Sequence, residues 1–233
     1  MRVLHRFVSQ PVECTYLPGR PSKIEYSIVA ALSAQEYEDL MNRGFRKFGR
    51  VLFQPVCDVC HECRPIRVPT GEFKPDRSQR RAWKRNQDLR IRTGKPQADA
   101  VRLDLYKRYH DAQTSRKGWS PSLVNCDEYI SNFIQNTVPA TEISIWQGNA
   151  LLGIILTEIT PNVVSAVYHY HDPAIHERGL GTFSILHVIQ LARQLQKKWV
   201  YLGFFVEGCG SMQYKSRFTP SEIMDVNGAW QRV

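Results

Sequence analysis

The sequence predicts an α+β fold with a mixed sheet and flanking helices, and three observations carry that prediction. Residues 142–170 read as a β-meander: Glu142 to Trp146, a turn at Gln147-Gly148-Asn149, Leu151 to Ile159, a turn at Pro161-Asn162, then Val163 to Tyr170. Two amphipathic helices precede it. A long helix, from Gly181 to about Lys197, and a further apolar strand, Val200 to Val206, follow it.

The elements can be justified in order along the chain. Cys14 to Ser22 is a loop by its Pro and Gly content, and Ile24 to Ile28 is a short strand. Ser33 with Glu36 forms a capping box. It opens a helix that places Tyr37, Leu40 and Met41 on one face and that Gly44 can end in a left-handed conformation. Arg46 to Pro55 has extended character, and Ile66 to Pro69 is another short strand. Asp76 with Gln79 forms a second capping box, so a helix runs from about Arg77 to Asn86. A polar linker covers Thr93 to Gln97. Asp99 caps a helix through about Arg116 with Val101, Leu105 and Tyr109 on one face, and a second helix near Asp127 to Gln135 presents Tyr129, Ile130, Phe133 and Ile134. In the long helix Ile185, Leu186, Ile189 and Ala192 point inward.

The chain has 233 residues, 42% of them apolar, enough for one large domain or two modest ones. Residues 12–82 form the expected N-terminal, cysteine-containing region and 101–222 the expected C-terminal region. Apolar stretches fall far short of the roughly 20 residues that cross a bilayer, and Met1 to Pro11 has no signal-peptide core. A cytoplasmic location is expected.

The net charge of +9 is concentrated. Between Arg64 and Lys95 stand eleven Lys or Arg against three acids, a local excess of eight. On the helix after Asp76, Arg77, Arg80, Arg81, Lys84 and Arg85 share one stripe at helical spacing. Like charges so placed repel by a few tenths of a kcal/mol per pair, and the phosphates of a polyanion would relieve them.

Cys57, Cys60 and Cys63 form C-x2-C-x2-C, a spacing suited to zinc or to an iron–sulfur cluster, with Cys14 as candidate fourth ligand. Three thiols without a metal are the other reading. Cys126 and Cys209 read as isolated structural thiols.

The element order is that of the acyltransferase fold that includes the CoA-dependent N-acetyltransferases (GNAT-like). Arg178-Gly179-Leu180-Gly181-Thr182, between strand and helix, partly resembles their phosphate loop, in which glycines let backbone N–H groups approach an anion. Further stretches carry a more specific resemblance. Gly44-Phe-Arg46, Gln54 to Val68, Phe73 to Arg81 and Arg85-Asn86 resemble the N-terminal half of the aminoacyl-tRNA–protein transferases of the N-end rule. Tyr168-His169-Tyr170 with Asp172-Pro173, Gly179-Leu-Gly181, Tyr201-Leu-Gly203, Met212, Tyr214-Lys215, Phe218 and Pro220 resemble the C-terminal half. Cys14-x-Tyr16-Leu-Pro18 and the three spaced cysteines resemble the bacterial aspartate/glutamate leucyltransferase branch. The family commonly has Ser where Asp76 stands and an aromatic residue where His169 stands.

The resemblance implies transfer of leucine from leucyl-tRNA to proteins with an N-terminal Asp or Glu, marking them for degradation; transfer of arginine is the alternative. An arginyl side chain would call for a buried acid such as Glu158 or Glu207. The expected partners are charged tRNA, as co-substrate, and acidic acceptor proteins, with no membrane. The ester is already activated and an α-amine with pKa near about 8 is partly neutral, so positioning and oxyanion stabilisation are the main tasks. Tyr168, Tyr170, Asp172 and Tyr214 are candidates for orienting groups or a proton path. Lys215, Arg178 or an arginine of the basic helix is the candidate cation for the acidic acceptor residue. A CoA-dependent acetyltransferase would not need the cationic ridge, and a zinc-ribbon nucleic-acid module would leave the C-terminal half without a task.

Overall fold

In the computed structural model, which describes residues 1–117 and 125–233, the chain opens with β1 (Arg2–Val8), the short pair β2 (Val12–Glu13) and β3 (Pro21–Ser22), and β4 (Ile24–Ala31). Helix α1 (Ala34–Met41) follows, then β5 (Arg46–Phe48), β6 (Val51–Pro55), β7 (Arg64–Pro69), α2 (Arg77–Arg85) and β8 (Arg90–Gly94). Next come α3 (Ala100–Lys117), α4 (Cys126–Tyr129) continued by a π-turn at Ile130–Ile134, and the meander β9 (Ala140–Gln147), β10 (Ala150–Ile159) and β11 (Val163–His171). A 3-10 turn at Pro173–Arg178 leads into α5 (Leu180–Gln194), β12 (Trp199–Phe205), α6 (Gly210–Gln213), a second 3-10 turn at Tyr214–Arg217, β13 (Glu222–Met224) and β14 (Trp230–Arg232).

Two sheets organise these elements. The larger has eight strands in the order β14-β13-β7-β12-β11-β10-β9-β8, and the smaller has four in the order β1-β4-β6-β5. In the larger sheet β11 and β12 pair in parallel, whereas the other neighbours pair antiparallel. The parallel pair needs a crossover connection, and α5 supplies it. One sheet face packs on α5 through Phe183, Leu186, Val188 and Ile189. The other packs on α3 and the π-turn through Leu105, Tyr106, Tyr129 and Phe133. A third core joins α1 and the smaller sheet to Val163 and Tyr201. Each such large side chain contributes about 1.5–3 kcal/mol on burial.

Both capping boxes form: Ser33 with Glu36, and Asp76 with Gln79. Gly44 takes a left-handed φ of 89° after α1, as its position required. The residues around Thr93 to Gln97 are not merely a linker, because Arg90–Gly94 forms the edge strand β8 on β9. Its exposed Arg90 and Arg92 suit an edge and hide the alternation in the sequence. In α3 the inward face is rotated from the expected one. Val101 is 53% exposed, while the neighbouring Arg102 turns inward to a bidentate ion pair with Glu142 at 2.6–3.0 Å. Among the described residues no helix is long and apolar enough to cross a membrane.

Candidate active site

Helix α2 is fixed by its inner face. Asp76 Oδ1 accepts from the Gln79 amide at 2.7 Å and Gln79 Oε1 accepts from the Asp76 amide at 2.9 Å, a cap that contributes about 1 kcal/mol. Gln79 Nε2 donates to the Arg217 carbonyl at 2.9 Å, and Asn86 Nδ2 donates to the Arg178 carbonyl at 2.9 Å. Trp83 packs on Phe183 and His187. With that side anchored, Arg77, Arg80, Arg81, Lys84 and Arg85 all stand exposed on the other. Arg80 reaches the Pro75 carbonyl and Arg85 the Glu177 carbonyl. Among the described residues none of the five meets a carboxylate.

The larger sheet opens along its parallel pair. β11 and β12 pair only from Val163↔Trp199 to Ser165↔Tyr201, although both strands continue further. β11 also slips register against β10 between Ala166 and Tyr168, a bulge that re-aims the following side chains. Tyr168 and Tyr170 therefore face the aromatic cluster of Tyr106, Tyr129 and Phe133, while His169 faces α5 and bonds Ser184 at 2.9 Å. Burial holds the His169 imidazole well below its ordinary pKa, so it is neutral.

The opening holds two cations. Arg46 of β5 is 6% exposed, and its Nη2 donates to Ser165 Oγ at 3.1 Å and to the Ala166 carbonyl at 3.0 Å. Lys215, in the turn after α6, is 8% exposed and donates to the Phe204 carbonyl at 2.7 Å. Burial, reinforced by the charge of Arg46, pushes the Lys215 ammonium down to about 7. Gly203 lies beside both with φ of 88°, a conformation that favours glycine.

The other candidates are placed as follows. Tyr168 bonds His110 Nε2 at 3.0 Å, and the buried Tyr170 hydroxyl bonds Tyr129 at 2.7 Å. Burial raises both phenols, so neither ionises near neutral pH. Asp172 caps the 3-10 turn through the Ala174 amide and pairs with Arg108 at 2.7 Å. Tyr214 is exposed beside Lys215 in sequence. Arg178 is held by Asp88 through two bonds of 2.9 and 3.0 Å, which engages the charge expected to meet substrate. Gly179, at φ of 67°, precedes α5, and Gly181 lies in its first turn. The sequence reading missed Arg46 as a functional residue. Only the Gly44-Phe-Arg46 stretch pointed toward it, because a lone arginine in an extended segment carries no periodic signal.

Cys14, Cys57, Cys60 and Cys63 line one small cavity of about 80 Å³ with Tyr16 and Val206. All four are free thiols, and burial together with the neighbouring cysteines pushes the Cys63 thiol up to about 12. By donor chemistry four thiols fit zinc or an iron–sulfur cluster. As arranged they do not converge: among the described residues no group of three or more His, Cys, Asp or Glu has a metal-holding geometry. No chemical step is drawn through a metal.

The site is thus a mixed α+β sheet that opens along its parallel pair, with buried cations in the opening and a cationic helix outside. Comparison with known proteins sharpens this. The family model described as arginine-tRNA-protein transferase, N terminus, matches residues 12–81, and the C-terminus model of the same family matches residues 101–225. An aspartate/glutamate leucyltransferase of Acinetobacter baumannii (strain ATCC 17978) is 31% identical over 99% of this chain and 84% of its own length. One of Pseudomonas fluorescens (strain SBW25) is 33% identical over 96% of this chain and 94% of its own. The chain belongs to this aminoacyl-tRNA–protein transferase family. Among solved structures, FemX superposes with a TM-score of 0.53 at 8% identity, covering 95% of this chain and 86% of that one. L-PGS from Bacillus licheniformis superposes with 0.52 at 12% identity, covering 85% of this chain and 62% of that one. Both likenesses concern the fold.

Proposed function

We propose that the protein transfers leucine from leucyl-tRNA to the N-terminal Asp or Glu of acceptor proteins, marking them for N-end rule degradation. The observation that carries this reading is the similarity, over nearly the whole chain, to relatives named aspartate/glutamate leucyltransferases. Neither of the two acids considered for an arginyl side chain is placed to receive one. An arginyl group needs a buried acid free to receive it, yet Glu158 is 2% exposed and ion-paired with Lys47, whereas Glu207 is 70% exposed and pairs with Arg64.

In this reading the ridge of Arg77, Arg80, Arg81, Lys84 and Arg85 binds the acceptor arm of the tRNA by its phosphates. Residues 12–82 supply the cysteine region and the first three arginines of that ridge, Lys84 and Arg85 follow just beyond, and 101–222 form the catalytic half. The acceptor amine attacks the ester carbon and gives up a proton, the bond to the ribose oxygen breaks, and that oxygen takes up the proton as it leaves. Tyr168, linked to His110, and Tyr214 orient the reactants or relay that proton; Tyr170 and Asp172 hold the strand and turn that place them. Lys215 receives the acidic side chain, while Arg178, Gly179 and Gly181 shape the turn between β11 and α5. Should the cysteines gather around zinc or an iron–sulfur cluster, they would tie β2, β3 and β7 together.

The test is transfer of label from leucyl-tRNA or arginyl-tRNA to peptides beginning in Asp, Glu or Ala, beside acetyl-CoA controls. Leucine on the Asp and Glu peptides alone is expected. Label from arginyl-tRNA would substitute the arginyl reading, and acetylation without tRNA would overturn both.

A further inference from the structure

Two buried cations face one glycine with no carboxylate between them. A Cβ built on Gly203 would lie 3.6 Å from Lys215 Nζ and 3.9 Å from Arg46 Nη2, so both charges converge on the space that this glycine leaves open. Among the described residues neither Arg46 nor Lys215 forms a salt bridge. Elsewhere this protein neutralises its buried cations: Lys47 has Glu158, and Arg102 has Glu142. Paired like charges without a counter-ion are costly in a dry interior, and an anion placed between them removes the cost.

Donor accounting points the same way. Arg46 Nη2 spends both its hydrogens on Ser165 Oγ and the Ala166 carbonyl, whereas Nη1 has only the Met41 sulfur at 3.9 Å. Lys215 has three hydrogens and gives one to the Phe204 carbonyl, with the Met212 sulfur at 3.0 Å as its other contact. Lys215 keeps donor capacity, whereas Arg46 Nη2, the atom turned to Gly203, has no hydrogen left to give there and contributes its charge. The location is also defined, since the Ala166 carbonyl is the first after the last β11–β12 pair, Ser165↔Tyr201.

We propose that Arg46, Lys215 and the open face of Gly203 form the cradle for the side-chain carboxylate of the acceptor's N-terminal residue. This rests on the reading that acceptors begin with Asp or Glu, and goes beyond it by assigning Arg46 and Gly203 to specificity. A backbone phosphate is the less suitable occupant. It is flanked by sugars on both sides and cannot enter a place where its partners are 6% and 8% exposed. A carboxylate at the end of one or two methylenes can. The exposed ridge on α2 is the surface suited to phosphates.

The test is equilibrium binding, without tRNA, of short peptides that differ only in beginning with Asp or Asn. The wild-type protein should favour Asp by about tenfold or more, as expected for a carboxylate held by two cations. Lys215→Met and Arg46→Met should each cut the preference to about threefold or less, Lys215→Arg should restore part of it, and Gly203→Ala should lower it with both charges intact. Leucyl-tRNA affinity reports folding in every variant. If Arg46→Met does not fold, Lys215→Met and Gly203→Ala decide. Folded variants that keep the Asp preference overturn the cradle, as do variants that lose tRNA affinity while keeping it. A wild-type protein with no Asp preference overturns the functional reading itself.

Discussion

Lys47 of β5 and Glu158 of β10 form an ion pair that joins the smaller sheet to the larger, with both side chains shut off from water. Lys47 also donates to the Gly49 carbonyl at 2.8 Å and to Asn136 Oδ1 at 3.2 Å, so its charge is fully engaged. Replacing one partner strands the other. Lys47→Met should lower unfolding free energy by about 3–5 kcal/mol, whereas the double change Lys47→Met with Glu158→Met should recover much of that loss. Urea denaturation of the single and double variants measures the difference.

Charge reversal on α2 should act on RNA and leave the fold alone. Arg80→Glu with Lys84→Glu changes two exposed residues on the outer stripe. Affinity for leucyl-tRNA should drop, and the slope of its logarithm against log salt should flatten by about one unit per lost phosphate contact. A filter-binding series from low to moderate salt reads both quantities. Unchanged slope and affinity would remove α2 from the interface.

The preference for Asp over Asn peptides should depend on pH through Lys215. Burial, with Arg46 beside it, holds this ammonium at about 7, below its ordinary value. The charged form binds a carboxylate, so the preference is full below pH 7. Above that, binding must take up a proton and the preference should fall by up to about tenfold per pH unit. Arg46 stays charged throughout, and the nearby Cys63 thiol is pushed up to about 12. Cys209 also faces Lys215. Repeating the titration with Cys209→Ser should move the profile toward lower pH, because Cys209 opposes the fall in the Lys215 pKa. Because both peptides carry the same α-amine, its titration cancels in the ratio.

For the cysteines the decisive measurement is metal content. Zinc, or iron with sulfide, in protein purified without oxygen, and its loss when Cys57 and Cys60 are changed to Ser, would show that these thiols take a metal that their arrangement here does not hold. Such binding would require the four sulfurs around the cavity to draw together, since they do not converge in the structure. Metal-free protein with unchanged stability would leave four ordinary thiols.

What could be read in advance was what local spacing dictates. Asp76 and Gln79 specify a cap through three-residue geometry, and the stripe from Arg77 to Arg85 follows from helical period alone. The meander was legible because two turns punctuate alternating apolar residues. Strand β8 was missed for the opposite reason: its sheet-edge position permits the exposed arginines that mask its alternation.

The sequence by itself determined the charged ridge, the order of elements and, through its similarity to known relatives, the family. Tertiary structure alone decided which cations are spoken for. Arg178 and Lys215 looked equally suited to meet an acidic substrate, but Asp88 takes the first, while Arg46 joins the second across Gly203. Whether a charge is paired depends on neighbours distant in the chain, and burial sets how much an unpaired charge costs. No periodicity records either quantity.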